Sequence, residues 1–409
     1  MKMPEKKKKT AVPRLRFPEF RHAGPWEVKR LGEIAEVVRG GSPRPISRFL
    51  TTDDDGFNWL KIGDIPNESK YVLSTEEKIK KSGLSKTREV HPGDLILSNS
   101  MSFGRPYIMG IRACIHDGWL ALTNLKSGLL SEYLYYFILS DFSQRYLHDS
   151  AAGGGVRNLN ADIVKLLPIA TPLRVEEQQK IADCLASLDE LIRAEEDRLA
   201  ALKQHKKGLM QQLFPAPGET TPRLRFPEFR DAGPWEVKRL GEVCEILDRM
   251  RKPVTSTKRK AGPYPYYGAS GAIDYIDQYI FDERLLLIGE DGAKWGPFEK
   301  TAYIVEGKYW VNNHAHVLRP IQINDVLLEN YLNASDLSVY VTGAAPPKLT
   351  LDNLKAIRMP VPPALPEQQK IADCLASLDE LIRVQGEKIE VLKQHKKGLM
   401  QQLFPQEVV

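Results

Sequence analysis

The sequence predicts an α+β chain in which two dissimilar domains are separated by two long antiparallel coiled-coil helices, with an internal pseudo-twofold. Three observations predict it. The chain repeats itself with two different offsets. Two long stretches carry a heptad pattern. The segments between them mix short strand-like runs with turn signals.

The 409 residues are enough for two or three domains. The opening MKMPEKKKKT is a basic tail, Lys6 to Lys9, with no apolar region after it. No run of 18 apolar residues follows anywhere, so neither a signal peptide nor a membrane span is expected. PRLRFPEFR then runs from Pro13 to Arg21 and again from Pro222 to Arg230, an offset of 209 residues. The match continues as AGPWEVKRLGE, Ala23 to Glu33 and Ala232 to Glu242. A second block, EQQKIADCLASLDELIR, starts at Glu177 and at Glu367, an offset of 190, and LKQHKKGLMQQLFP follows at Leu202 and Leu392. The offsets differ because the inserts between the blocks differ in length and sequence. The expected layout is a basic tail and frame start at 1–22, a first domain at 23–173, a central helix at 174–215, a second frame and domain at 216–363, and a C-terminal helix at 364–409. Near-identical frames around dissimilar inserts point to inserts exchanged or selected separately rather than to neutral drift after duplication.

The central block reads as one helix from Glu176 to Phe214, with no Pro and only Gly208 inside it. Ile181, Leu185, Leu188, Ile192, Leu199, Leu202, Leu209 and Leu213 fall at alternating spacings of four and three once Glu195 and Lys206 are included. The second copy gives Ile371, Leu375, Leu378, Ile382, Gln385, Ile389, Leu392, Lys396, Leu399 and Leu403. Each helix would be roughly 55–60 Å long at the α-helical rise. A helix with one narrow apolar stripe must bury it, and the other copy is the simplest partner. The expectation is an antiparallel pair in which Ile181, Leu188, Ile192 and Leu199 lie against Ile371, Leu378, Ile382 and Ile389. Polar residues at matching seam positions suit a role in fixing register or orientation.

The first insert has strand-like runs at Gly93–Ser100 and Tyr107–Ile115, and a helix is expected over SEYLYYFILSDFSQRYLHD from Ser131. In the second, strands are expected in YIFDERLLLIGEDG from Tyr279 and KYWVNNHAHVLRP from Lys308, with a short helix over Leu327–Leu337. The net charge of +5 is a weak lean toward polyanions. Residues 34–152 balance 14 Lys or Arg against 14 Asp or Glu, and residues 243–342 hold 11 against 13. A nucleic-acid role therefore requires positive charge that is clustered, or supplied by partners.

One cluster is Arg249, Arg251, Lys252, Lys258, Arg259 and Lys260, with no acid among them and an aromatic stretch after it that includes Tyr266 and Tyr267. Such a loop suits phosphate contact and groove entry. WVNNHAH offers Trp310, Asn312, Asn313 and His314, and asparagine can pair bidentately with adenine. Lys294 and Lys348 extend the second set. In the first insert the candidates are Arg39 and Arg44 in RGGSPRP, then Asn99, Ser100, Ser102 and Arg105, then Arg157 and Asn158 in GGGVRNLN. RGGSPRP lacks the GK[ST] ending of a phosphate loop, so it is not read as a nucleotide site. His314 and His316 lie two apart with no carboxylate nearby in sequence, so no metal site is expected.

Cys114, Cys184, Cys244 and Cys374 form no CxxC pair, so reduced thiols are the default. There is no NPPY-like or DPPY-like tetrapeptide, no FxGxG-type loop, no Walker A motif and no nuclease-like Asp…Glu-x-Lys cluster. Nothing supports a catalytic constellation.

The order of blocks, their duplication, EQQKIADCLASLDELI, LKQHKKGLMQQLF, and the W-E-x-K-x-L-G-E frame at Trp26 and Trp235 resemble the specificity subunit of Type I restriction–modification enzymes. YPYYGASGAI from Tyr264 and KYWVNNHAH from Lys308 look like stretches of its target-recognition domains. The resemblance covers nearly the whole chain. It implies a cytoplasmic, non-catalytic protein whose two target-recognition domains each read one half of a bipartite DNA site across an unread spacer. It implies two modification subunits that bind S-adenosylmethionine and methylate adenine, and allows for two motor–nuclease subunits. S-adenosylmethionine, ATP and Mg would sit on those partners, with no cofactor or metal on this chain. Two other classes stay open: a stand-alone two-domain DNA-binding regulator, and the specificity module of a fused enzyme that lost its catalytic half.

Overall fold

A computed structural model of the chain describes residues 10–66, 69–99, 103–151, 159–344 and 346–407. The candidates Ser100, Ser102, Arg157 and Asn158 and the Lys6–Lys9 tail lie outside the described residues. The chain divides into two units, 1–194 with 390–409, and 195–389. Each unit holds one insert, its frame, and parts of both long helices.

In the first unit, the frame strand Trp26–Arg30 lies between Thr10–Ala11 and Pro168–Thr171, both antiparallel to it. The insert builds two five-stranded sheets. The main sheet runs Glu36–Arg39, Trp119–Thr123, Leu95–Ser98, Pro106–Met109, Tyr71–Val72. The second runs Leu50–Thr51, Glu77–Ile79, Phe57–Leu60, Ala113–Ile115, Arg88–Val90. One face of the main sheet (Leu95, Leu97, Leu120, Leu122) packs with the helical layer around Tyr133, Leu134 and Phe137. The other (Ile96, Tyr107, Trp119, Ala121) packs with Leu60, Val90 and Ile115 of the second sheet. A sheet covered on both faces reads as a continuous apolar run, which is why LILS is buried throughout. The expected single helix from Ser131 is two, Ser131–Leu139 and Asp141–Ser150. Ser140 breaks it by taking an extended conformation and accepting the Ser143 N–H as an N-cap.

The second unit repeats this plan with four strands per sheet. The main sheet runs Cys244–Ile246, Ala315–Pro320, Leu285–Gly289, Ala302–Val305, and the second Gly271–Ile276, Ala261–Gly268, Lys308–Val311, Phe281–Asp282. The expected helix is Asp325–Ala334, capped by Asn324.

The long helices span Val175–Leu213 and Leu365–Leu403, 39 residues each. In the first unit Ile181, Ala182 and Leu185 share a core with Leu399, Met400, Leu403 and Phe404. In the second, Leu209, Met210 and Leu213 share one with Ile371, Ala372 and Leu375. The start of each helix therefore meets the end of the other, and the pairing is antiparallel. This corrects the expected set of partners: Ile181 shares its core with Leu403, and Ile371 with Leu213. Every expected seam position is buried or half-buried, the four polar ones included. Those polar residues pair across the coil. Lys396 meets Asp189 in the first unit. In the second, Lys206 meets Asp379 at 2.6 Å, and Glu195 accepts from Gln385 Nε2 at 2.6 Å and from Lys388 Nζ. The Lys388 and Gln385 bonds hold the Glu195 carboxyl below its ordinary value.

Each frame is locked to a helix start by the same three groups. Arg16 makes two bonds to Glu177, at 2.6 and 2.7 Å, and Trp26 Nε1 donates to the same carboxylate at 3.2 Å. Arg225 and Trp235 hold Glu367 at 2.6, 2.8 and 3.2 Å. Both carboxylates are fully buried. A buried carboxylate needs its guanidinium partner, so frame and helix must be kept together as matched blocks.

Candidate nucleic-acid interface

In each unit the loops leaving one end of the main sheet converge, and most described candidates from the sequence fall there. In the first unit the anchor is the turn at His116–Gly118. Arg39 Nε and Asn99 Nδ2 both donate to the Asp117 carbonyl, at 2.9 Å each, and Ser42 Oγ donates to the Asp117 carboxylate at 2.7 Å. Leu159 N–H donates to the Asn99 carbonyl at 3.0 Å, so the chain at 159 is tied to the same point. The glycines of RGGSPRP serve close approach: a Cβ on Gly40 would sit 2.2 Å from the His116 carbonyl oxygen, and one on Gly41 2.6 Å from that of Lys86. Arg39 and Arg44 remain exposed at the rim, with Arg44 within 3.5 Å of Asp117. Asn99 is 2% exposed and committed to the turn, which corrects its reading as a free polar contact.

The second unit has the equivalent anchor. Leu349 N–H donates to the Glu290 carbonyl at 2.8 Å, as Leu159 does to Asn99, and Glu290 N–H donates to the His314 carbonyl as Asn99 does to Gly118. Glu290 occupies the Asn99 position, and it is a carboxylate. It is neutralised by Arg251 at 2.5 Å and Lys348 at 2.7 Å. Arg251 also pairs with Asp248 at 3.2 Å and donates to the Ala315 carbonyl at 2.8 Å. His316 places Nδ1 2.5 Å from Asp248 Oδ2 and donates from Nε2 to the Leu349 carbonyl at 2.7 Å. Burial pushes the Asp248 and Glu290 carboxyls up, but their hydrogen bonds and cationic neighbours outweigh it and hold both below their ordinary values.

Several expectations are corrected here. Arg251 is an internal ion-pair residue with 14% of its side chain exposed. Arg259 bonds Asp274 and the Val254 carbonyl and lies over the Tyr266 ring, 4.4 Å from its centroid. Tyr266 is buried and its hydroxyl accepts from Val254 N–H. Tyr267 packs against Tyr303 and Tyr309 toward the core. Asn312 is buried and its side chain accepts the His314 N–H at 2.7 Å, closing a turn. Trp310 Nε1 donates to the Lys252 carbonyl at 2.6 Å. These residues hold the loop over 247–260 in shape. Arg249, Lys252, Lys258, Lys294 and Asn313 stand exposed around it, and His314 is exposed and bonded to Asp291.

His316, Asp248 and Glu290 place ligand-type atoms within 4.8 Å of one another. Sequence reasoning missed the two carboxylates because they lie far off along the chain. Arg251 and Lys348 already balance their charge, so the donor set does not fit a cation without displacing them.

The chain matches the family described as Type I restriction modification DNA specificity domain over residues 24–204 and again over 233–394. The chain belongs to this family. A putative specificity subunit of a Methanocaldococcus jannaschii type I restriction enzyme is 25% identical over 418 residues, covering 93% of this chain and 92% of that protein. A Haemophilus influenzae putative specificity subunit is 36% identical over 146 residues, 35% of this chain and 38% of its own length. In fold, the chain is similar to a type I specificity subunit from M. genitalium (TM-score 0.58, 15% identity, 96% of this chain, 99% of that one). It is also similar to a chain of a type I restriction–modification assembly (TM-score 0.59, 19% identity, 93% and 97%). As a member of the specificity family the chain serves DNA sequence recognition in a restriction–modification system, and the stand-alone regulator is not favoured. Among the described residues no helix is long and apolar enough to cross a membrane.

Proposed function

We propose that each unit reads one half of a bipartite DNA target, that the chain itself carries no catalysis and no cofactor, and that it directs two modification subunits in the cytoplasm, with restriction subunits joining them. The observation that carries this reading is the pair of equivalent loop ends. The same sheet edge is presented by the same frame and clamp in both units, yet lined by different side chains. Identical supports with different linings suit two independent readers. Two copies of the frame and helix blocks, with matching exposed residues, suit two copies of one partner. S-adenosylmethionine, ATP and Mg belong to the partners on this reading. Arg39, Arg44 and Arg105 in the first unit, and Arg249, Lys252, Lys258, Lys294 and Asn313 in the second, are the proposed DNA contacts.

The test is an exchange. Residues 243–362 are replaced by the matching segment of a relative, and the methylated motif is sequenced from cells carrying the chain with its modification partner. One half of the motif should change while the other half and the assembly survive. A change in both halves together would defeat the assignment of one unit to one half-site.

A further inference from the structure

Six described arginines have half-buried side chains: Arg16, Arg105, Arg225, Arg251, Arg259 and Arg319. Five of them pair with carboxylates, on Glu177, Glu367, Asp248 with Glu290, Asp274 and Glu283. Among the described residues Arg105 pairs with none. Its Nε is buried without a hydrogen-bond partner, and its guanidinium lies over the Tyr107 ring, 5.5 Å from the centroid. Two further orphaned groups stand beside it. Trp119 Nε1 and Ser98 Oγ are buried and unbonded, on side chains 1% and 0% exposed.

These three residues form one row across the main sheet. Trp119 is directly opposite Ser98, and Ser98 N–H donates to the Arg105 carbonyl at 3.0 Å. Directly opposed residues in antiparallel strands share a face, so three groups able to donate stand side by side at the loop end without an acceptor among the described residues. Leaving them unmet in the free chain costs stability. Five matched arginines make a sixth, unmatched one informative. The second unit has no such row. The corresponding positions are Ala315, Gly289 and Thr301, by the Gly289–Ala315 pairing and the Gly289 N–H to Thr301 carbonyl bond, and the Thr301 hydroxyl is satisfied by the Lys294 carbonyl. The donor row thus belongs to one unit alone, as a feature that sets one half-site would.

We infer that Arg105 is a specificity-determining residue of the first unit, bonding the acceptor edge of a guanine in its half-site through the exposed part of its guanidinium, with Ser98 and Trp119 buried beside it in the same row. The acceptors are O6 and N7, which match the guanidinium fork. The cation–π contact with Tyr107 restrains the guanidinium, and an oriented fork is what base reading needs and a phosphate contact does not. The inference rests on the reading of each unit as a half-site reader.

The test uses the full chain with its modification partner, and DNA in which each guanine of the first unit's half-site is replaced in turn by 7-deazaguanine, which lacks N7. The native chain should lose about tenfold or more in affinity at one guanine. Arg105→Ala should lose nothing further at that guanine, and its methylated motif should relax there alone. Arg105→Lys keeps the charge without the fork and should behave like Arg105→Ala, which covers the case of an alanine variant that does not fold. Three results would overturn the inference while the bipartite reading stands. They are a first half-site without guanine, a variant that weakens all sequences alike with a shallower salt dependence (a phosphate contact), and a variant that keeps the motif and loses only thermal stability. A native complex that methylates no bipartite site would overturn the reading beneath it.

Discussion

Truncating Arg251 would leave Asp248 and Glu290 as two buried carboxylates whose remaining partners are His316, the Val317 N–H and Lys348. Arg251→Ala should therefore cost about 3 kcal/mol of stability, seen as a lower denaturation midpoint. Lys258→Ala, on an exposed side chain, should leave stability within about 0.5 kcal/mol and weaken DNA binding across all sequences. An Arg251→Ala chain of native stability would show that the network is not structural. The same carboxylates set an acid response. Both are held below their ordinary values of 3.8 and 4.5, so their stabilisation is complete above those values and is lost as pH falls through the lower folded ones. Thermal melts of the second unit should be flat down to about pH 4.5 and then fall, and Asp248→Asn should shallow that fall while lowering stability at neutral pH. At this scale the sequence was legible only in part. A basic cluster announced a loop, but Arg251 and Lys258 look alike until Asp248 and Glu290 are folded beside one of them. Asn312 has the residue type of an adenine reader, and only its bond to His314 N–H makes it a turn former.

The helices were the most legible elements, because a spacing of four and three is a local property that survives without knowledge of partners. Their charged partners were not: Asp189 and Asp379 lie off the seam, and nothing in the heptad marks them as the mates of Lys396 and Lys206. Leu185 is fully buried where the helix start meets the other helix end. Leu185→Ala should cost about 3 kcal/mol, and Leu188→Ala, at a half-exposed position, less than half of that. Equal losses in denaturant titrations would mean that the seam is packed as tightly at Leu188 as at Leu185. The split helix after Ser131 escaped sequence reading because Ser140 is one polar residue in a long periodic run, and its capping role depends on a conformation that periodicity does not encode.

For the whole molecule, the repeat made the block order readable, while the assignment of helix halves to units was not. Residues 390–404, which complete the first unit, have a near copy at 200–214. A fragment ending at Pro215 should therefore associate in pairs, each copy lending its helix end to the other. In that dimer Glu195 would take the place of Gln385 and face a second Glu195 instead of the amide that now donates to it. Like charges at a buried seam disfavour each other, so Glu195→Gln should tighten the fragment dimer in sedimentation measurements. A fragment that stays monomeric at every concentration would show that the C-terminal helix end is not replaceable by its copy.

Leu15 N–H donates to the Gln402 carbonyl at 2.9 Å, and Leu224 N–H donates to Gln212 at the same distance. The first contact joins the two extremes of the sequence and the second lies in its middle, yet they are one joint made twice. Each unit is therefore closed by the same backbone bond, between the segment ahead of its frame and the last turn of a long helix. A chain reopened near Gly218, with its present ends joined through a short linker, should fold to the same units and direct methylation of the same motif.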